Sequence, residues 1–358
     1  MRKSIIACIL LAISIILSMM ARAISWFPDW YYHYIYRPVS TVFAWVFGWF
    51  PFSVVELLLY AAILFVVVII VRAMIKRHRN SKQGKSLKGG VLRGVETLFL
   101  AVSILCFLYV VNCGVNYHKK SFAQEEGFET KAYDKQELID VCTVLTSKIN
   151  ELADKLPVDE NGITYIDGNK EKLAKEAMKN LSGTYTSLSG YYPNPKGLLI
   201  AELLSYQDIT GIYSPFTVEA NYNSDMPEYL KPFTMCHELS HLKGIMREEE
   251  ANFVGFLACV ESEEPSFQYS GYMNAYSYCM SELLNYDTES YSTIRKQLCE
   301  QANKDILNKH EFWEKYDTKI ATISNKVNDV YLKANAQTEG TNSYNQVTGL
   351  ILSYYSKK

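Results

Sequence analysis

Two histidines four residues apart are the side chains in this sequence best placed to do chemistry. His237 and His241 stand in KPFTMCHELSHLKG, and Glu238 follows the first of them directly. Residues i and i+4 project from one face of a helix about one turn apart, so both imidazoles can bind one ion. The spacing suits two of three protein ligands of a tetrahedral zinc that keeps a water in its fourth position. Glu238 can reach that water, take its proton and pass it to a leaving amine.

The alternative is a solvated helix that carries two histidines and no metal. The residues around the pair argue against a solvated helix, because they are uncharged and free of proline, as a buried metal-binding helix requires. The chain has only six histidines, and residues 118–358 hold just two others, His118 and His310. The sequence therefore favours a site for Zn²⁺.

A third ligand is expected from the glutamates of REEEANF. A straight helix would carry Glu248 about 10 Å along its axis from His241, too far to share an ion. Glycine accepts left-handed backbone angles, so the chain can bend at Gly244. We predict that the first helix ends near Lys243–Gly244 and that a second begins at the glutamates. Glu248 is the preferred ligand, and Glu249 is the alternative.

Other residues are candidates for supporting roles. Asn252, four residues after Glu248, is expected to hydrogen-bond a ligand histidine and fix its tautomer. Tyr269 and Tyr272 could donate a hydrogen bond to a developing oxyanion, although a chain with 27 tyrosines also places some there by coincidence. The stretch GIYSPFTVEANYN is interpreted either as an edge strand that pairs with a peptide or as a loop beneath the core.

The motif pair HELSH…EEEAN resembles the HExxH…ExxA[DN] signature of the glutamate-zincin clan, which includes thermolysin and the CAAX prenyl proteases. The resemblance implies that His237, His241 and Glu248 bind zinc and that Glu238 is the base. Only six residues lie between His241 and Glu248, whereas that clan usually has a much longer gap.

A larger part of the chain resembles the bacterial domain-of-unknown-function family 3810. The segments that carry this resemblance are GIYSPFTVEAN, PFTMCHELSHLKG, REEEANF and YSGY, and the similarity runs from FGWFPFSVVELL to the C-terminus. It implies a membrane protein with N-terminal spans and an outer, metallopeptidase-like zinc domain, and it supplies no substrate.

Three apolar stretches, about 4–20, 54–71 and 95–115, are each long enough to cross roughly 30 Å of hydrocarbon. The first could instead be a cleavable signal peptide, since ARA at 21–23 fits a cleavage site. Between the first two lies segment 26–50, in which 12 of 25 residues are aromatic. Such rings gather at the membrane–water boundary, so we interpret this segment as re-entrant or interfacial.

The distribution of charge predicts the orientation. Residues 1–117 carry 12 Lys and Arg against three acids, whereas 118–358 carry 24 against 35. Loop 72–93 has eight basic residues and no acid, which indicates a cytoplasmic loop and places 118–358 outside the cytoplasm. The basic residues lie between apolar spans and not on a globular domain, so no nucleic-acid partner is expected. The motif is far from the spans in sequence, so cleavage within the membrane is not expected.

We therefore predict a mainly α protein. A membrane region, 1–117, carries three transmembrane helices, and a mostly helical, zincin-like α+β domain with a small edge strand or sheet spans 118–358. The expected function is a multi-pass, membrane-anchored zinc metallopeptidase acting on a peptide or protein, with membrane lipid as its other partner. The alternatives are a catalytically silent zinc sensor or peptide-binding protein, and a scaffold with a structural ion. Glu238 distinguishes the peptidase from these alternatives, because a structural zinc has no use for a carboxylate that does not bind it.

Overall fold

A computed structural model describes residues 2–81, 88–128, 133–335, 337 and 346–357. Over these residues the protein is mainly α-helical with one small sheet, which confirms the predicted fold class. The middle of the predicted basic loop, 82–87, lies outside the described residues.

The N-terminal region is helical almost throughout. Its helices are α1 (Arg2–Ala23), α2 (Phe27–Tyr31), α3 (Arg37–Gly48), α4 (Val54–Ser81) and α5 (Lys88–Asn112). Three of them, α1, α4 and α5, are long and apolar enough to cross a membrane, and α1 packs along α5. They contain the three predicted spans, except that α5 ends three residues early and a 3₁₀ turn follows over Gly114–His118.

The aromatic segment 26–50 forms a nearly continuous helix in which a π-helical turn, Tyr32–Tyr36, joins α2 to α3. Pro38 has no N–H and cannot continue the α-helical hydrogen bonds. The backbone N–H of Arg37 donates to the carbonyl of Tyr32, five residues back, which is the hydrogen bond of a π-helix. Tyr31, Tyr32 and Tyr36 are buried, whereas the four tryptophans of the segment are exposed. One aromatic face therefore packs on the protein and another faces outward.

The remaining helices belong to residues 118–358 and surround the larger of two hydrophobic cores, while the smaller core lies among the N-terminal helices. They are α6 (Phe122–Glu125), α7 (Lys135–Ala153), α8 (Lys170–Thr184), α9 (Glu202–Ser205), α10 (Lys231–His241), α11 (Glu248–Val260), α12 (Pro265–Tyr286), α13 (Thr288–Arg295), α14 (Glu300–Glu314), α15 (Lys319–Ala334) and α16 (Gln346–Lys357). The polar part of the chain between α12 and residue 335 contains three helices, α13, α14 and α15. They are separate because residues such as Thr318, whose side chain accepts from the Ile320 N–H, cap new helix starts.

The sheet has three short strands, β1 (Lys196–Gly197), β2 (Gly211–Ser214) and β3 (Glu219–Tyr222). Their order is β1-β3-β2, with β1 parallel and β2 antiparallel to β3. Within GIYSPFTVEANYN, β2 is thus an edge strand and β3 is the central strand, and pairing of β2 with a peptide stays a prediction.

The N-terminus of α4 is bound directly to the sheet region. The buried carboxylate of Glu219, on β3, accepts hydrogen bonds from the Val54 and Val55 N–H groups at 3.0 and 2.9 Å. Glu56 in the first turn of α4 accepts from the Leu199 N–H at 2.9 Å, just after β1. Carboxylates at a helix N-terminus satisfy its free N–H groups and its dipole, so these contacts fix α4 against the sheet.

The C-terminus of α5 reaches the same sheet. The side-chain amide of Asn112 donates to the Pro215 carbonyl at 2.8 Å, and the Tyr213 hydroxyl donates to the Asn112 carbonyl at 3.2 Å. The N-terminus of α4 and the C-terminus of α5 therefore both lie against the sheet. We call each of these two helix termini the sheet end of its helix.

Candidate metal centre

The two histidines of α10 face each other as their spacing predicts. Their Nε2 atoms lie 3.2 Å apart. His237 Nδ1 contacts the Asn252 side-chain oxygen at 2.9 Å, and His241 Nδ1 contacts the Ile245 carbonyl at 2.6 Å. Both of these oxygens accept, so each Nδ1 carries the proton and each Nε2 turns its lone pair toward the other. Two facing lone pairs need a cation or an extra proton between them.

Glu248, the first residue of α11, completes the group. Its Oε2 lies 3.3 Å from His237 Nε2, and its Oε1 lies 3.9 Å from His241 Nε2. With zinc–nitrogen bonds near 2.05 Å, tetrahedral ligands are about 3.3 Å apart, and two of the three separations match this. The three side chains therefore form a group that could hold a metal ion.

A bend at Gly244 brings Glu248 back to the histidines. As predicted, α10 ends just before this glycine, whose φ is +72°, and α11 begins at the glutamates. A Cβ at Gly244 would lie 2.8 Å from the ring of Tyr32. The Tyr36 hydroxyl contacts the carbonyls of His241 and Leu242 at 3.0 and 3.2 Å. The aromatic segment thus packs directly beneath the bend.

Replacing Gly244 by alanine is expected to destabilise the protein and weaken metal binding. A left-handed residue with a Cβ costs about 1–2 kcal/mol, and the contact with Tyr32 adds to this because the ring must move. Thermal unfolding of the full chain in detergent measures the effect. Gly183→Ala is the matched control, since Gly183 lies in α8 with open space around its Cβ position. An equal loss of stability in both variants would contradict the role of the bend.

The three consecutive glutamates have different partners. Glu249 turns away from the histidines, and its Oε2 accepts from the Gln337 side chain at 2.8 Å. Glu250 accepts from the Ala123 N–H at 2.9 Å and so holds the start of α6. Only Glu248 shares the metal group, so among these three residues the geometry favours the preferred ligand over Glu249.

Glu238 is buried beside the group without belonging to it. Its Oε1 lies 4.0 Å from His237 Nε2, and its Oε2 has no hydrogen-bond partner within the described residues. Gly211, the first residue of β2, packs on it so closely that a Cβ there would lie 2.5 Å from Oε1. A buried carboxylate oxygen without a partner is costly, so this atom points to a ligand such as water.

Comparison with known proteins identifies a family. The model of a family described as protein of unknown function, DUF3810, matches residues 31–352. The chain belongs to family DUF3810. The match confirms the resemblance to this family, and the matched residues include the whole metal group. The resemblance to the glutamate zincins stays a prediction. Searches of curated proteins and of solved structures found no match for this DUF3810 protein.

Burial and mutual contact set the protonation of the group. Burial lowers the pKa of His241 to about 4, so its Nε2 is free to bind an ion near neutral pH. Burial is the largest influence on His237 and acts to lower its pKa, but the hydrogen bond with Glu248 and the charges of Glu238 and Glu248 together raise it. Burial is also the largest influence on Glu248 and acts to raise its pKa, but the hydrogen bond with His237 and the two nearby imidazoles together lower it. A metal ion binds deprotonated ligands, so its binding would release any proton held by this group.

A cavity of about 630 Å³ opens beside the metal group. Its wall includes β2 on one side and residues of α12 and α15, among them Tyr278 and Tyr331, on another. Cys113 and Tyr117, which follow α5 directly, also line it. The candidate site of this DUF3810 protein is therefore close to the sheet end of α5, a helix long and apolar enough to cross a membrane, although the motif is distant from that helix in sequence.

The structure does not bring Tyr269 or Tyr272 to the cavity. The Tyr269 hydroxyl is buried and donates to Asp305 at 2.6 Å, and Tyr272 packs against the core from the other side of α12. The face of α12 nearest the site carries Asn274 and Tyr278. Gly271 packs so closely on α11 that a Cβ there would lie 2.6 Å from Cys259. It precedes Asn274 by three residues and Tyr278 by seven, so helical spacing puts the three on one face, and this spacing could have indicated that face from the sequence.

Replacing Asn252 by leucine is expected to lower metal affinity by about 10–100-fold, the usual effect of losing a partner that orients a ligand histidine. Leucine keeps the volume but removes the oxygen that holds His237 Nδ1. Equilibrium titration with zinc against a competing chelator measures the change. Asn252→Asp keeps an acceptor at this place and should retain most of the affinity. If the leucine variant binds zinc as tightly as the wild type, His237 is not oriented by this contact.

Proposed function

We propose that this DUF3810 protein is a membrane-anchored zinc metallopeptidase. The observation that carries the proposal is the position of Glu238, whose unpartnered carboxylate oxygen is buried next to the His237, His241 and Glu248 group. A site that only held an ion would have no use for such a group. A hydrolase needs it as a base.

His237, His241 and Glu248 would hold the zinc. When bound, the ion lowers the pKa of a water molecule and polarises a carbonyl group. Glu238 then takes the proton of the attacking water and delivers it to the nitrogen of the leaving amine. Burial raises the pKa of Glu238 to about 8 in the absence of a cation, and a nearby positive charge shifts it toward the ionised form that a base requires.

The edge strand β2 is suited to bind the peptide backbone. Asn223 N–H bonds the Thr210 carbonyl at 2.8 Å, and antiparallel strands alternate, so the N–H and C=O groups of Gly211 and Tyr213 face away from β3. Both residues line the cavity. An extended peptide can pair with them and lie next to Glu238.

Tyr278 is the proposed donor to the oxyanion. It lines the cavity from α12. Burial, and next the charge of Glu248, raise the pKa of its hydroxyl, so it keeps its proton at neutral pH. A protonated hydroxyl facing the site can stabilise charge that develops on the carbonyl oxygen.

The proposed topology is multi-pass. α1, α4 and α5 cross the membrane, the basic loop 72–93 is cytoplasmic, and residues 118–358 form an extracytoplasmic domain. The charge asymmetry of the sequence supports this orientation. The length and hydropathy of the three helices support the crossings.

The second candidate function is a zinc sensor or peptide-binding protein without turnover. A structural zinc usually has four protein ligands. The group found within the described residues has three, which leaves a position open and favours the peptidase.

The test uses the full chain purified in detergent. Bound metals are measured by mass spectrometry, and the protein is then incubated with a degenerate peptide library with and without a zinc chelator. We expect about one zinc per chain and cleavage that stops with the chelator and returns with added zinc. Full zinc occupancy with no cleavage would favour the sensor, and absence of any bound metal after zinc addition would reject both functions.

A further inference from the structure

Helix α15 has an apolar stripe on its exposed side. Ile320, Ile323, Val327 and Val330 form this apolar stripe, and each is between 54 and 67 % exposed. Their spacing puts them within about one quarter of the helix circumference. A soluble surface rarely carries such a stripe without a partner.

Three lysines border the apolar stripe. Lys319, Lys326 and Lys333 are seven residues apart, so they form a line next to it. The helix has one acid, Asp329, which pairs with Lys333 at 2.7 Å. The helix is therefore basic, whereas residues 118–358 as a whole are acidic. An apolar face with lysines along its edge is typical of helices that lie on anionic membranes.

One end of α15 is held at the sheet end of α5. At its C-terminal end, the Tyr109 hydroxyl of α5 donates to the Asn335 side chain at 2.6 Å. Near the middle of the helix, Asn325 donates to Asp208 at 3.2 Å. The C-terminal end of α15 therefore lies at the level of the sheet end of α5.

The apolar stripe lies next to Tyr331, the residue of α15 whose hydroxyl contacts α5. Val327 and Tyr331 are one turn apart on the same face of α15. The Tyr331 hydroxyl accepts from Tyr117 at 3.2 Å and lies 3.4 Å from the Tyr109 hydroxyl of α5. Leu199, Ile200 and Leu203 are also exposed beside the sheet end of α4, so apolar side chains flank both membrane helices at this level.

We propose that α15 lies in the membrane interface, with its apolar stripe in the lipid and its lysines on anionic headgroups. The occupant of this surface is a phospholipid bilayer. The contacts of α15 at the sheet end of α5, and the charge of its lysine edge, carry the inference. The inference depends on α5 crossing the membrane.

This position has a consequence for the substrate, which rests on the proposed peptidase function. Val327 and Tyr331 of α15 line the same cavity as His237 and Gly211. The membrane-facing helix is therefore a wall of the site, and the site opens next to the lipid surface. The substrate class is a polypeptide anchored in the membrane, cleaved close to the point where it leaves the lipid.

The first test measures lipid contact directly and needs no activity. A photo-crosslinking amino acid is placed at Ile323 in the full chain, and the protein is reconstituted in vesicles of phosphatidylglycerol and phosphatidylcholine with a tagged lipid. We expect lipid crosslinks from position 323 and few from Thr322, the exposed neighbour on another face. Absence of lipid crosslinks at 323 would overturn the proposal, and crosslinks to a second copy of the chain would replace the bilayer by a dimer contact.

The lysine edge is tested in the same vesicles. Lys319→Gln with Lys326→Gln should lower the crosslinking yield by roughly fivefold per lysine, the usual contribution of a lysine near an anionic surface. Lys304→Gln is the control, because this exposed lysine lies on α14. In pure phosphatidylcholine the lysine variants and the wild type should behave alike. An equal yield in anionic vesicles would contradict the role of the lysines.

The substrate class is tested with one degenerate peptide library in two forms, free in solution and anchored to the vesicles by a palmitoyl chain. We expect the wild type to cleave the anchored form at least several-fold faster. Ile323→Glu should remove this preference while leaving cleavage of the free form intact. Cleavage of the free form without any preference would overturn the substrate class and leave the peptidase proposal standing. No cleavage of either form would contradict the peptidase proposal, and lipid crosslinking at 323 would still test the position of α15.

Discussion

Glu238→Gln is expected to leave the zinc content unchanged and to lower peptide hydrolysis by about 10²–10⁴-fold, the usual contribution of general acid–base catalysis. Glutamine has the same shape as glutamate but cannot take the proton of the attacking water. The nearest ligand atom, His237 Nε2, is 4.0 Å from Glu238 Oε1, so the metal group stays intact. Initial rates on a cleaved library peptide and metal content per chain are the two measurements.

Glu238→Asp is the control, because it keeps a carboxylate that is one methylene shorter. Its rate should lie between the wild type and the glutamine variant. Loss of zinc in the glutamine variant would mean that Glu238 is a ligand, and an unchanged rate would mean that it is not the base.

The local parts of the site could be predicted from sequence because short-range geometry determines them. Helical spacing puts His237 and His241 on one face, and the conformational freedom of glycine allows the bend at Gly244. The same spacing links Glu248 to Asn252, and the contact of Asn252 with His237 follows from it. These relations span only 16 residues and need no knowledge of the remaining chain.

The long-range parts could not be predicted in this way. The Tyr36 hydroxyl reaches the His241 carbonyl across 205 positions of sequence. A tyrosine suits both a membrane interface and a buried contact. The aromatic composition of the segment therefore indicated an interface and gave no sign of the buried contact with His241. The side of α12 that faces the site was missed for a similar reason, because its tyrosines look alike in sequence and only packing distinguishes Tyr278 from Tyr269.

The position of the site relative to α5 follows from the same long-range contacts. The motif lies more than 100 residues after α5 in sequence. Yet Cys113, the residue that follows α5, lines the cavity, and its sulfur lies 3.7 Å from that of Met246 in the bend. Sequence distance gives no information on this contact, because the sheet folds back onto the ends of α4 and α5 and the bend folds back onto the residue that follows α5.

Glu248→Gln is expected to lower zinc affinity by more than the 10–100-fold typical of losing a partner that only orients a ligand. The amide is neutral and replaces a charged oxygen that lies 3.3 Å from His237 Nε2. It also leaves the ion bound mainly by two imidazoles. Competition with a chelator measures the affinity, and thermal unfolding of the metal-free protein shows whether the fold is retained.

Glu249→Gln is the matched comparison, since it makes the same change at the next position. Glu249 contacts Gln337 and not the histidines, so its variant should bind zinc about as tightly as the wild type. The two variants separate the roles of neighbouring carboxylates that look equivalent in sequence. If Glu249→Gln loses zinc and Glu248→Gln keeps it, the third ligand is Glu249, and the bend at Gly244 serves a different arrangement from the one seen here.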